Sequence, residues 1–234
     1  MENKNLNLWK ILLFIVTFIM LTFVILTARK FIILSSLNNK VVELQKTKNI
    51  YARIISNSEE TKSQTVEIYF KDNIRKDTME IKNSNNTINE IIQITYPNKQ
   101  NIYIYDGLTK EMASYDRDNS EVENNMIVNF ADYTTLFEGL SNAITSKIKV
   151  EEIDGKKCYI LSSLSNSNII YEEGTTEALV YIEKDTGIPI KIVSTINKNG
   201  SDTKNTITYE YKFDCVTEND IEEPDISEYT LKNN

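Results

Sequence analysis

The chain has 234 residues, 41% of them hydrophobic and 26% charged, enough for one anchor and one domain of about 200 residues with a packed core. Its charge is lopsided: residues 1–30 carry four basic residues against one acidic, and the rest carry 22 against 33. So acidic a domain repels phosphate backbones, which argues against nucleic acid as a partner, and the absence of histidine removes the commonest general base and metal ligand.

The first element is an apolar helix. No charge occurs from Ile11 to Ala28, a run of roughly 27 Å as helix, about the thickness of the hydrocarbon core. Lys10 and Arg29–Lys30 bracket it, Trp9 sits at interface level, and Ile11, Phe14, Phe18, Phe23 and Leu26 supply lipid-facing bulk. Leu26 and Ala28 make a poor cleavage pair and no lipid-acceptor cysteine follows, so an uncleaved anchor is expected over a signal peptide. The flanking cations do not orient it. Lys4 and Lys10 precede the run, while Arg29, Lys30, Lys40, Lys46 and Lys48 follow it, which leans toward a cytoplasmic domain.

Residues 29–48 still read as helix, with Ile33, Leu37, Val41 and Leu44 at three-to-four spacing. This juxtamembrane stretch either continues the anchor or docks after a bend near Ser35–Ser36. From Asn49 the period becomes two. Strands are expected at Thr65–Phe70, Asp77–Ile81, Ile88–Thr95, Asn101–Tyr105 and Lys110–Tyr115, separated by turn-forming Asn, Asp, Ser and Pro. A helix is expected over Met126–Thr145. Strands resume at Lys147–Ile153, Lys157–Leu164, Ala178–Glu183, Ile188–Ile196 and Lys204–Phe213, with turns at Asp154-Gly155 and Asp185-Thr186-Gly187. The layout is an N-terminal tail (1–10), a transmembrane helix (11–28), a juxtamembrane helix (29–48) and a β-rich domain (49–234).

Eight strand tyrosines have two readings: ordinary β-propensity on a half-exposed face, or an amphipathic lining for a greasy cavity. On the second, Tyr69, Tyr103, Tyr105 and Tyr181, with Phe130 and Phe137 of the helix, are the ligand-contact candidates. Cys158 and Cys215 are the only cysteines. In an oxidising compartment they could close a disulfide worth about 3–4 kcal/mol; otherwise they are two buried free thiols. Two cysteines without histidine make a poor zinc site, and no metal or cofactor is expected. Asp116–Glu121 lacks the glycine and terminal glutamate of a calcium loop. The pairs Glu151-Glu152, Glu172-Glu173 and Glu222-Glu223 point to opposite faces of a strand and form no acid–base pair. Asn85-Asn86-Thr87 and Asn199-Gly200-Ser201 match the glycosylation pattern, which chance produces often. With no phosphate-cradling loop or nucleophile elbow either, a non-enzyme is expected.

Three segments resemble the lipoprotein-carrier-like (LolA/RseB-like) domain family, in the form of its membrane-anchored Gram-positive members. The hairpin Val180–Lys191 (VYIEKDTGIPIK) is similar to a strand, turn and Ile-Pro return strand of that family. NIYIYDGLTKEMASYD (101–116) resembles another of its hairpins, and VTENDIEEPDISEYTL (216–231) its C-terminus. The resemblance implies an α+β fold, predominantly antiparallel: an open β half-barrel with helices on its concave face. It implies a domain outside the cytoplasmic membrane, and hence the orientation that the charges leave open. It implies further a lipid or lipoprotein acyl ligand, or a scaffold contacting another envelope protein. No functional residue of the family maps onto a position here.

Overall fold

In the computed structural model the described residues are 2–58, 63–82, 88–106, 109–122, 126–127, 136–162, 175–198 and 200–232. The chain begins with one helix, α1 (Glu2–Gln45). Neither glycine nor proline interrupts these 44 residues, so the backbone ladder runs unbroken for roughly 66 Å. Thr17 and Thr22 donate their hydroxyls to the carbonyls of Leu13 and Phe18, each at 2.8 Å, satisfying them within the helix. Of the two readings of residues 29–48, the structure has the helix continuing without a break through Ser35–Ser36 to Gln45.

Six strands follow as a meander: β1 (Asn49–Ser58), β2 (Gln64–Lys71), β3 (Ile74–Lys82), β4 (Ile88–Thr95), β5 (Lys99–Asp106) and β6 (Thr109–Asp116). Then come α2 (Leu136–Thr145), β7 (Lys147–Ile153), β8 (Lys156–Ser162), β9 (Thr175–Glu183), β10 (Pro189–Lys198), β11 (Ser201–Phe213) and a two-residue β12 (Thr230–Leu231). The expected helix over 126–145 is described only at 136–145, and there it is α2.

Among the described residues twelve strands form one open sheet, ordered β12-β6-β5-β4-β3-β2-β1-β11-β10-β9-β8-β7. Every pairing is antiparallel except β12 on β6. The two meanders join where β1 pairs β11, Ala52 opposite Tyr211. Two hairpins use the turn chemistry that strand twist favours. Asp72 and Asn73 both have positive φ between β2 and β3, as do Asp154 and Gly155 between β7 and β8.

The sheet curls around the second half of α1. Leu34 and Leu37 are buried against Leu161, Val180, Ile182 and Ile192 of β8, β9 and β10, with Ala143 of α2. Val41, one turn beyond Leu37, meets Ile50, Ala52, Ile68 and Phe70 of β1 and β2. Register makes this one face: Phe70 pairs with Ile50, Ile50 with Phe213, Ile207 with Ile192, and Ile192 with Val180. The architecture expected above, an open antiparallel half-barrel with helix in its concavity behind an apolar N-terminal helix, is therefore present. One helix is both the apolar rod and the plug. Trp9 to Leu26 are exposed along their whole length, and this segment is long and apolar enough to cross a membrane.

Candidate functional site

The plug decides where a ligand could sit. Leu37 is 2% exposed and Val41 1%, so the concave face of β1, β2 and β8–β11 already has an occupant. Among the described residues, the space beside this plug is on the outward side of α1, an open groove of about 750 Å3. Its floor is α1 from Phe31 to Leu44, about four turns. Phe31 and Ile32 line one end, Ser35, Ser36 and Asn39 the middle, and Glu43 and Leu44 the other.

The β9–β10 turn makes one wall, through Asp185 and Thr186. The Asp-Thr-Gly segment is built to meet the helix. Gly187 has φ +78°, and a Cβ there would lie 3.0 Å from Lys40 Cβ and 3.1 Å from the Leu37 carbonyl oxygen. Only glycine supplies both the backbone angle and the clearance. Lys40 Nζ then donates to the carbonyls of Lys184 and Asp185 at 2.8 and 3.0 Å, and Thr186 Oγ1 donates to Glu183 at 2.7 Å. The wall is thus fixed to the floor, and Lys40 brings a cation to a groove that is apolar at its Phe31–Ile32 end and carries Glu43 beside Leu44 at the other.

The aromatic candidates from the sequence lie elsewhere. Tyr69 pairs with Tyr51, Tyr103 with Ile92 and Met112, Tyr105 with Glu90, and Tyr181 with Lys191, all on the convex face. The expectation that they line the concavity is corrected. Their parity is opposite to that of Ile68, Phe70, Val180 and Ile182, which face α1. The tyrosines that pack toward the helix are Tyr159, Tyr209 and Tyr211. Phe130 and the side chain of Phe137 lie outside the described residues, as does Asn85-Asn86-Thr87 from the glycosylation pattern.

The convex tyrosines hold a second constellation. After β11 the chain crosses the outer face of β2–β6 and ends as β12 on the edge of β6. Val216 and Ile221 are buried beneath this strap. Glu223 is its central fastening. It accepts from Tyr96 Oη and Asn101 Nδ2 at 2.9 Å, from Tyr103 Oη at 3.0 Å and from Lys99 Nζ at 3.3 Å. Tyr229 stands edge-on to Tyr103 at 5.2 Å. Burial pushes the Glu223 carboxyl up, but the donors from Tyr96, Tyr103 and Lys99 outweigh it and hold the pKa below the usual range. Burial and the same hydrogen bond push Tyr96 up to about 12. In the middle of that face Glu67 accepts from Tyr51 and Tyr69 at 2.9 and 3.0 Å and lies 3.4 Å from Arg53. Both carboxylates accept from several donors at once, which fastens the strap and the convex face together.

The cysteines do not pair. Both thiols are free, Cys158 buried on β8 and Cys215 exposed just past β11. Two strands separate β8 from β11, about 14 Å at sheet spacing, well beyond the reach of a disulfide. That candidate bridge is corrected. Among the described residues no three His, Cys, Asp or Glu side chains gather as a metal site.

No family model and no curated protein matches the chain. Several solved structures are similar to it. An uncharacterised conserved protein from Thermus thermophilus aligns over 85% of this chain and 98% of its own, at 12% identity and TM-score 0.47. MucB, solved in complex with MucA(peri), aligns over 82% of this chain and 60% of its own, at 11% identity and TM-score 0.36. A LolA superfamily protein from Nitrosomonas europaea aligns over 81% and 97%, at 12% identity and TM-score 0.28.

Proposed function

We propose that the chain is a membrane-tethered, extracytoplasmic binding module of the cell envelope that holds an apolar or lipid-like ligand without transforming it. The groove beside α1 carries this reading: it offers about 750 Å3, Phe31 and Ile32 make one end apolar, and Lys40 can meet a polar head. The sequence resemblance to membrane-anchored lipoprotein-carrier-like domains supports the envelope setting and the outward orientation. The ligand's place differs from the sequence-based expectation, because α1 already fills the inside of the sheet. Delipidated full-length protein should take up a fluorescent fatty acid, and Ile32→Asp, at a 66% exposed groove residue, should abolish uptake without unfolding the domain. Uptake unaffected by Ile32→Asp, or no uptake by the parent, sinks the reading. Orientation is tested separately by protease on intact cells, which should digest the domain.

The filled concavity favours a second reading, a scaffold or sensor that contacts another envelope protein. At one edge of the sheet the seven-residue β7 has no described strand beyond it, and its Val150 is 58% exposed. A photocrosslinker at Val150 that captures one defined membrane protein, in a chain that takes up no fatty acid, would favour the scaffold.

A further inference from the structure

Because α1 does not stop at the membrane, the sheet around it has a fixed direction. Lys30 Nζ donates to the Ser146 carbonyl at 2.8 Å, tying the start of β7 to the last residues of the apolar run. Three turns further along, Lys40 holds the β9–β10 turn. The two bonds mark opposite ends of the sheet. In a meander alternate connections share an end, so the rest are assigned by topology. With Ser146 lie the far ends of β1, β3, β5, β8 and β10 and the starts of β2, β4, β6, β9 and β11. With the β9–β10 turn lie the β2–β3, β4–β5 and β7–β8 turns.

The heights agree. From Ala28 to Gln45 the helix rises about 26 Å at ~1.5 Å per residue. β1 returns alongside it from Asn49 to Ser58, about 30 Å at ~3.3 Å per residue and less when inclined. Ser58 therefore comes back to the level of Ala28, where the uncharged run ends. Described strand ends on that side carry Lys82, Lys110, Lys147 and Lys198 beside Arg29 and Lys30, against Asp106 and Asp202, and in sequence the segments between these strands add Glu59, Glu60, Glu172 and Glu173 against Lys62, which leaves the total near neutral. Such a rim can sit at the headgroups of a partly anionic leaflet even though the domain as a whole is acidic.

We propose that this end of the sheet is a membrane-contact surface. Its partner is the headgroup layer of the bilayer that α1 spans, and the unbroken helix holds the domain upright against it. The opposite end, with the β2–β3 and β7–β8 turns, then projects about 30 Å from the lipid. The inference rests on the tethered reading above, and the test separates the two.

Full-length Cys215→Ser protein is reconstituted in vesicles of phosphatidylcholine and phosphatidylglycerol in equal parts, its buried Cys158 left in place. A bimane probe is attached at Lys82→Cys or Ser201→Cys on the proposed contact end, or at Glu152→Cys or Asn98→Cys on the far end. Headgroup-nitroxide lipid should extinguish the first pair and leave the second at the intensity seen without nitroxide. A probe at Phe18→Cys reports the anchor through acyl-chain nitroxide. If Phe18→Cys is not quenched, the tethered reading fails. If it is quenched but both ends of the sheet behave alike, the tether stands and the contact surface is refuted. Two glycines inserted after Ala28 should erase the difference between the ends; a difference that survives them refutes the role of the continuous helix.

Discussion

Leu37→Ala tests whether the same helix that leaves the domain is also its core. Leu37 is 2% exposed and packs among Leu34, Ala143, Val180, Ile182 and Ile192. Truncation removes about three carbons, or ~2.4 kcal/mol at ~0.8 kcal/mol per buried CH2. A clamped site does not collapse, and the close approach of Gly187 to the Leu37 carbonyl holds the helix in place, so the residual cavity should bring the loss to about 3–4 kcal/mol. In a domain of this size that lowers Tm by about 10 °C. The assay is thermal unfolding of the full chain in detergent, followed by near-ultraviolet dichroism of the tyrosines, with Ile25→Ala as control. Ile25 lies in the exposed apolar run and should leave the domain transition where it was. A shift below about 1 kcal/mol for Leu37→Ala, or equal shifts for both variants, would refute the helix-as-plug account.

Three further outcomes follow from particular residues. Gly187→Ala should cost about 2–3 kcal/mol, because αL strain adds to the approach to α1, whereas Gly155→Ala, with the same φ of +78° but open space around it, should cost about 1 kcal/mol; equal costs in chemical denaturation would show that the helix contact contributes nothing. Glu223→Gln should weaken the strap in a pH-dependent way. The folded carboxyl titrates below its unfolded value, so its stabilisation is complete above the unfolded pKa and is lost as pH falls through the folded one. The gap between parent and variant should therefore close on acidification, and a constant gap from neutral to acid pH would contradict the donor cage. Finally, unreduced native protein should show one fast thiol, Cys215, with Cys158 reacting only on unfolding; a mass two hydrogens short in denaturant would reveal a disulfide instead.

The parts readable from sequence are those set by local pattern. Period-two alternation marks β1 to β11 to within a few residues, Asp154-Gly155 marks its hairpin, and the uncharged run marks the exposed helix. Ile33, Leu37, Val41 and Leu44 are visible as a helical stripe, but what they pack against is not. Their partners lie from Ile50 to Tyr211, and a stripe does not say whether it meets lipid, a sheet or another chain. The misplaced tyrosines have the same origin. In Ile102-Tyr103-Ile104-Tyr105 both parities are apolar, because one face turns to the inside of the half-barrel and the other passes under the strap, so alternation cannot tell them apart. The strap itself leaves almost no local trace. Glu223 is one acid among many in an acidic tail, and what distinguishes it are four donors drawn from residues 96–103, over a hundred positions away.

Sharing one helix between tether and core also constrains how the groove can work. Phe31 and Ile32 at its lower end follow directly on Arg29–Lys30, so on the membrane-contact geometry that end opens at the headgroup layer and Leu44 lies some ~20 Å above it. The floor cannot widen by moving α1 away, since Leu34, Leu37 and Val41 on its other side are the core of the domain. The wall is the part that one substitution can release: Asp185 and Thr186 sit on a turn held to the helix by two hydrogen bonds from a single lysine. Lys40→Met keeps the stem that packs on Gly187 and deletes those bonds. It should leave the melting transition within about 1 kcal/mol of the parent, because charge-assisted bonds at an exposed site contribute little net stability. If the turn gates the groove, the same substitution should speed both uptake and release of a fluorescent fatty acid. Unchanged ligand kinetics in a chain that still binds would mean that the groove is open at rest and that Lys40 neither gates the wall nor meets the ligand's head.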